Sequence, residues 1–261
     1  MACVRKNSKG EDSDGKKYKD VGDMWEKELS GKEGRRSWYA RATGYWEARE
    51  ASVDGVLGGY PETSAPDLRE SKRFLELIKK APKAPGFRHV LDCGAGIGRV
   101  TSGLLLHHFQ QADIVEPNKR LLDQARKDLT DGRVKDFINS SLQEFEPTAG
   151  RYDVIWAQWV LLYLPDDDLH QFLVRCRKAL KQGGIVCAKE NVVIEGEWVV
   201  DKEDNSIART DAQYKAIFER AGFSVDHELR QTCWPTDLIP VKMYALRPRV
   251  VLKRPASALS E

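Results

Sequence analysis

Residues 91–100 read LDCGAGIGRV, with glycines at 94, 96 and 98 and an acid two places before the first. The apolar run RHVLDC that leads into them has the length of a short strand, and IGRVTSGLLLHHF that follows reads as a helix. A strand, a glycine turn and a helix together make a nucleotide-type pocket. Gly94 and Gly96 let the backbone approach a ligand with no Cβ in the way. The residue after Gly98 is Arg99 rather than glycine, so the spacing departs from that of a nicotinamide dehydrogenase. A pyrophosphate in this turn would also be repelled by Asp92. A sulfonium cofactor such as S-adenosylmethionine carries no phosphate and is positive near its amino-acid end. Asp92 suits that charge, and Arg99 suits the cofactor's carboxylate. Glu116 ends the next strand, the place from which an acid accepts from both ribose hydroxyls.

Outward from this turn the pattern alternates. ADIVE, VKDFINSS, YDVIWAQWV and GGIVCAKEN read as strands, with helices NKRLLDQARKDL and PDDDLHQFLVRCRKAL between them. The helix RTDAQYKAIFERAG then precedes two further strands, FSVDHELRQ and VKMYALR, expected as an antiparallel pair at one edge. The expected architecture is α/β: a Rossmann-like, seven-stranded sheet with helices on both faces, as in class I S-adenosylmethionine-dependent methyltransferases. Upstream, MWEKELSGKEGRRSWYARATGYWEAREA and LRESKRFLELIKKA read as helices separated by the glycine-rich and proline-containing VDGVLGGYPETSAPD. We expect residues 22–82 to form an N-terminal helical lid and 83–247 the core. Residues 1–21 are polar and charged, and are expected to be disordered. Residues 248–261 are expected to be a flexible tail.

Composition narrows the function. The chain has 261 residues, 41% of them hydrophobic, enough for one domain with extensions. Forty-two basic residues against 40 acids give a net charge of +2, which lends no support to a broad nucleic-acid surface. There is no apolar run long enough to span a membrane, and no signal-peptide pattern at the N-terminus. Five scattered cysteines read as reduced thiols of an intracellular protein, cytoplasmic or nuclear. No CxxC pair is present, and the acidic loop DKEDNS lacks the glycine and distal Glu of an EF-hand, so no metal is expected.

LDCGAGIGR together with YDVIWAQWV, VDGVLGGY and DKEDNS resembles the eukaryotic protein α-N-terminal methyltransferases, from about Tyr39 to Arg247. That family modifies the free amine of proteins beginning Xaa-Pro-Lys or similar. The resemblance implies cofactor contacts at Gly94, Gly96, Arg99, Glu116, Pro117, Asn118, Leu142, Gln143 and Gln158. It implies a peptide groove of Trp46, Leu57, Gly58, Trp159, Asn191, Asp201, Ser206 and Leu238, together with Asp204. At three positions this chain departs from the family pattern: Tyr163 replaces a histidine near the reacting amine, Glu190 replaces an aspartate, and Ile239 replaces a tyrosine at the far end of the groove.

The chemistry needs a neutral amine, a proton acceptor and alignment of nitrogen, methyl and sulfur. A protein α-amine has a pKa of about 7.7–8.0, so about a tenth to a fifth is neutral at pH 7. Asp204 is the candidate base, with Tyr163 as its hydrogen-bonding partner. Asp201 would face the basic third residue of the substrate, and Trp159 its proline. The expected activity is one to three methyl transfers onto an N-terminal amine by a monomer, yielding S-adenosylhomocysteine. The insertion EGEWVVDKEDNSIAR is expected to lie outside the sheet. Two other readings use the same residues: an enzyme acting on small-molecule or side-chain amines, and a cofactor-binding scaffold without turnover.

Overall fold

The computed structural model describes residues 9–249. Two short strands open it, β1 (Gly10–Asp12) and β2 (Lys17–Tyr18). Helices α1 (Val21–Glu28), α2 (Gly34–Ala48), α3 (Val53–Val56) and α4 (Ser64–Lys79) follow. Then come β3 (His89–Cys93), a π-helical turn (Thr101–Leu105) that runs into α5 (Leu106–His108), β4 (Gln111–Val115), α6 (Lys119–Asp128) and β5 (Val134–Ile138). The second half comprises β6 (Tyr152–Gln158), α7 (Asp166–Ala179), β7 (Leu180–Val193), β8 (Trp198–Asp201), β9 (Ser206–Thr210), α8 (Asp211–Arg220), β10 (Phe223–Arg230) and β11 (Val241–Pro248).

Seven of the strands form the expected sheet, in the order β10-β11-β7-β6-β3-β4-β5. The five from β7 to β5 run parallel; β11 lies antiparallel between β7 and β10. Along each central strand the side chains alternate between two apolar layers. Leu91, Ile155, Val186 and Tyr244 face a layer with α7 and α8, whereas Val90, Val154, Ile185 and Met243 face one with α4, α5 and α6. The chain leaves β3 towards β4 and β5, then crosses back to β6 on the other side. That reversal opens a crevice beyond the strand ends, where α/β sheets bind ligands.

Three expectations need correction. First, the ordered chain begins well before residue 22: β1 pairs antiparallel with β2 and parallel with β8. Composition hid this because the segment contributes little apolar surface of its own. Tyr18 supplies what it does have, joining Met24, Trp38, Trp198, Val200 and Ile207 in a separate small core. Asp12 adds a second tie, accepting from the Tyr18 hydroxyl at 2.8 Å. Residues 1–8 and 250–261, including most of the expected tail, lie outside the described residues. Second, the insertion continues the sheet. β8 and β9 are antiparallel, and β9 pairs with the last two residues of β7. Third, α4 is core rather than lid, because Phe74, Leu75 and Ile78 pack into the layer on Val90 and Ile114.

Gly10 abuts the Trp198 ring so closely that an added Cβ would lie 2.3 Å from it. Gly10→Ala is therefore expected to destabilise the protein by about 1–3 kcal/mol, read as a lower midpoint in urea unfolding. A disordered extension would leave the midpoint unchanged.

Candidate active site

Above the crevice lies a cavity of about 400 Å³. One wall is the glycine turn. Gly94, Gly96 and Gly98 all take left-handed φ angles, of 69°, 57° and 79°. A Cβ at Gly94 would sit 2.6 Å from Val160, and one at Gly98 would sit 2.6 Å from Leu129, so these two are required for packing inside the protein. Gly96 has only ordinary contact with Val56 and faces the cavity, as do Ala95 and Arg99. Gly94 lines the cavity as well, so the turn offers backbone to a ligand at two glycines, while the close packing at Gly94 and Gly98 holds that geometry.

Glu116, just past β4, lines the same cavity with Pro117. Its two carboxylate oxygens accept from the Gly96 and Asn118 amides at 2.9 and 2.8 Å. Burial pushes its carboxyl up to about 7. Each oxygen keeps a second lone pair, which fits acceptance from ribose hydroxyls. Asn118 caps α6 instead, its side chain accepting from the Arg120 and Leu121 amides, and it does not line the cavity. Leu142 and Gln143 also fall outside the lining: Leu142 packs into the core, and both carbonyls accept from Arg175. Asp92, read from sequence as a partner for the sulfonium, is a core residue. It accepts from the Thr101 hydroxyl at 2.5 Å, burial raises its carboxyl to about 7, and it stands outside the cavity lining.

Arg99 and Gln158 enter the cavity from opposite sides of the crevice and meet on one buried carboxylate, Asp67 of α4. Arg99 Nη2 lies 2.8 Å from Asp67 Oδ2, and Gln158 Nε2 donates to both oxygens at 2.8 and 3.0 Å. Sequence reasoning missed Asp67 because a lone acid within an amphipathic helix pattern looks like a solvated face.

The other wall is aromatic. Trp159, one residue past β6, has a left-handed backbone with φ of 52°. That conformation is costly for a bulky residue. Its amide donates to the Lys189 carbonyl at 2.9 Å, which fixes the bend. The Trp159 ring lies 5.6 Å from that of Trp234, and Arg99 approaches it at 5.8 Å. Trp234 sits in the irregular link between β10 and β11, where no periodic pattern singles it out. Trp46, Leu57, Gly58, Asn191 and Leu238 all line the cavity, as do Tyr60, Thr63 and Ile239.

Tyr163 lines the cavity too, and its hydroxyl donates to Asp204 Oδ2 at 3.0 Å. Asp204 Oδ1 accepts from the Ser206 amide at 2.9 Å. Burial raises the Asp204 carboxyl above its ordinary value, and the two donors oppose that rise. Burial, then the Asp204 charge, pushes the Tyr163 phenol well above its usual range, so it remains a donor at neutral pH. Asp201 is exposed and, like Asp204 and Ser206, stands outside the cavity lining. The turn that carries Asp204 is pinned to α2. The Asn205 amide donates to the Trp38 carbonyl, Arg41 donates to the Lys202 carbonyl, and Arg49 pairs with Glu203. From α2, Trp38 Nε1 also reaches the Tyr163 carbonyl at 2.8 Å.

A glycine turn that opens backbone to a cavity, a buried acid after the second strand and a basic group beside them define a class I S-adenosylmethionine-dependent methyltransferase. Residues 34–247 match the family model described as AdoMet-dependent proline di-methyltransferase, and the chain belongs to that family. It is 41% identical to alpha N-terminal protein methyltransferase 1 of Arabidopsis thaliana, over 91% of this chain and 90% of that one. It is 40% identical to N-terminal Xaa-Pro-Lys N-methyltransferase 1 of Danio rerio, over 82% of this chain and 97% of the other. The solved structure of a SAM-dependent methyltransferase from Leishmania major superposes with a TM-score of 0.87 at 39% identity, covering 92% of this chain and 96% of that one. The cofactor is S-adenosyl-L-methionine.

Glu190 lies one residue before Asn191, at the end of the same wall. Its Oε1 accepts from the Val160 and Leu161 amides at 3.0 and 2.8 Å, and Oε2 is buried without a partner among the described residues. Burial pushes this carboxyl up to about 8. Its folded value therefore exceeds the unfolded one, about 4.3. The stability it contributes is complete below the unfolded value and is lost as pH rises through 8. Glu190→Gln keeps the Oε1 acceptor and removes the ionisation. The melting temperature of wild type, relative to this variant, is expected to fall between pH 5 and 8.5. Parallel melting curves against pH would show the expectation to be wrong.

Proposed function

We propose that this chain transfers methyl groups to the α-amino nitrogen of protein N-termini beginning Xaa-Pro-Lys or Xaa-Pro-Arg, once to three times. The single observation that carries the reading is the Tyr163–Asp204 pair. A residue lining the cofactor cavity is hydrogen-bonded to an acid whose carboxyl is raised by burial. The names of the Arabidopsis thaliana and Danio rerio relatives support the same substrate class.

When bound, S-adenosylmethionine supplies the methyl group from a sulfonium centre. Gly96 and Glu116 hold its nucleoside portion, and Arg99, positioned by Asp67, receives its carboxylate. The substrate amine enters beside Trp46, Trp159 and Asn191. Asp204 accepts the proton that the ammonium must lose, directly or through one water, and the amine lone pair is then free for in-line attack. Tyr163 donates to Asp204 and so holds the acceptor oxygen in place; its raised phenol excludes it as the base. A raised carboxyl suits the task, since a base nearer neutrality takes the proton with less cost. Trp159 packs on the substrate proline, and its ring face favours a cationic methylated amine. Asp201, exposed at the end of β8, pairs with the basic third residue; Ser206, Leu57, Gly58 and Leu238 complete the groove. The protein acts as a monomer. The free state of the four described cysteines supports placing it in the cytoplasm or nucleus.

A hexapeptide beginning Ser-Pro-Lys is expected to take label from S-adenosylmethionine, and its N-acetylated form to take none. Asp204→Asn should lower kcat by about 10²–10⁴-fold while leaving cofactor affinity, measured by calorimetry, near wild type. Unchanged turnover would remove Asp204 from the base role. Label on free small amines in preference to the peptide would replace the substrate class.

A further inference from the structure

Lys202 stands in the turn between β8 and β9, directly after Asp201 and two places before Asp204, and has no part in the mechanism above. Its flexible four-carbon stem would let the ammonium fold back onto either acid. It does neither. Among the described residues no Lys or Arg lies within ion-pair distance of Asp201 or Asp204, whose carboxylates accept from the Glu203 amide at 2.8 Å and the Ser206 amide at 2.9 Å. The Lys202 ammonium pairs instead with Oε2 of Glu28, the last residue of α1, at 2.6 Å. Among the described residues Glu28 alone offers it a carboxylate within ion-pair distance; Asp12 acts on it from further off. The two side chains are only 17% and 15% exposed, so solvent screens the pair little. The Tyr18 hydroxyl, which also serves Asp12, lies 2.8 Å from the other Glu28 oxygen, and Lys16 reaches that oxygen from solvent at 3.5 Å. Burial acts to raise the Glu28 carboxyl, but Lys202 and then Tyr18 hold it below its ordinary value. The Lys202 backbone is held as well, its amide donating to the Ser13 hydroxyl at 2.9 Å and its carbonyl accepting from Arg41. Apart from Arg41, every one of these partners of Lys202 precedes residue 34, where the match to the family model begins. A segment outside that match thus steers the one lysine of the acidic turn.

We propose that Glu28 is a positioning residue that sets substrate preference: by drawing the Lys202 ammonium to α1, it leaves Asp201 free to pair with the basic third residue of the peptide. A lysine left unpaired beside Asp201 would occupy that carboxylate itself and repel an arriving cation. With the pair to Glu28 formed, the turn presents its acids to the peptide with its own lysine turned aside. Glu28 touches neither peptide nor cofactor and acts through Lys202. The inference rests on the reading that Asp201 receives the third residue.

The test uses the full chain and steady-state kinetics on two hexapeptides, one beginning Ser-Pro-Lys and one beginning Ser-Pro-Gln. Wild type should show the lower KM for the lysine peptide. Glu28→Gln keeps the shape of the side chain and removes its charge. It should raise KM for the lysine peptide about three- to fivefold, with kcat and the KM of the glutamine peptide near wild type. Adding Lys202→Met to that variant removes the released ammonium and should restore the KM. A merely structural Glu28 would impair both peptides alike, and the double variant more still; either result overturns the proposal. So does an unchanged KM in Glu28→Gln. If wild type itself draws no distinction between the peptides, the Asp201 reading falls, and this inference with it.

Discussion

The carboxylate of Asp67 is the point on which the site depends. It is completely buried, and it holds Arg99, Gln158 and Lys189 at once. Those three side chains come from the helix after the glycine turn, from the end of β6 and from β7. The acid itself comes from α4. Four elements that meet at the crevice are therefore held in one arrangement by a single group. Each buried ion costs several kcal/mol of desolvation, and only close mutual pairing with every lone pair satisfied offsets it. A network of this kind has one good geometry, which is what a site that must align a nucleophile with a methyl group requires.

The sheet was legible because its signals are local. Each central strand is a short apolar run bounded by turn residues, and each helix carries a periodic face or a clear stop. The glycine turn and Glu116 were legible for the same reason: strand, turn and acid are adjacent in sequence. What stayed hidden depends on contacts between distant segments. Asp67, Lys189 and Trp234 read as a helix acid, a strand lysine and a loop aromatic until the fold buries the first two against Arg99 and Gln158 and brings the third into the cavity lining. Asp92 misled in the opposite direction. Its place before the glycines suggested the ligand, yet the Thr101 hydroxyl and full burial assign it to the core. Asn118, Leu142 and Gln143, carried over by resemblance, fall outside the cavity lining.

The N-terminal segment shows a second limit of composition. Residues 10–18 bury little by themselves, and judged alone they cannot offset their ordering entropy. They are ordered because β8 offers an unpaired edge and Trp198 a ring face against which Gly10 can lie. The exposed edge left by the β8–β9 insertion is covered by the chain's own beginning, a common solution to the hazard of a free strand edge.

That covering strand and α2 grip the same hairpin from two sides: β1 along β8, and Trp38, Arg41 and Arg49 at the turn before β9. Asp204 sits within this grip. The freedom of its loop is surrendered once, during folding, and not again each time a polypeptide end arrives. In the proposed reaction an arriving chain would meet an acceptor oxygen already aimed, and more of its contact energy would remain for the barrier to methyl transfer.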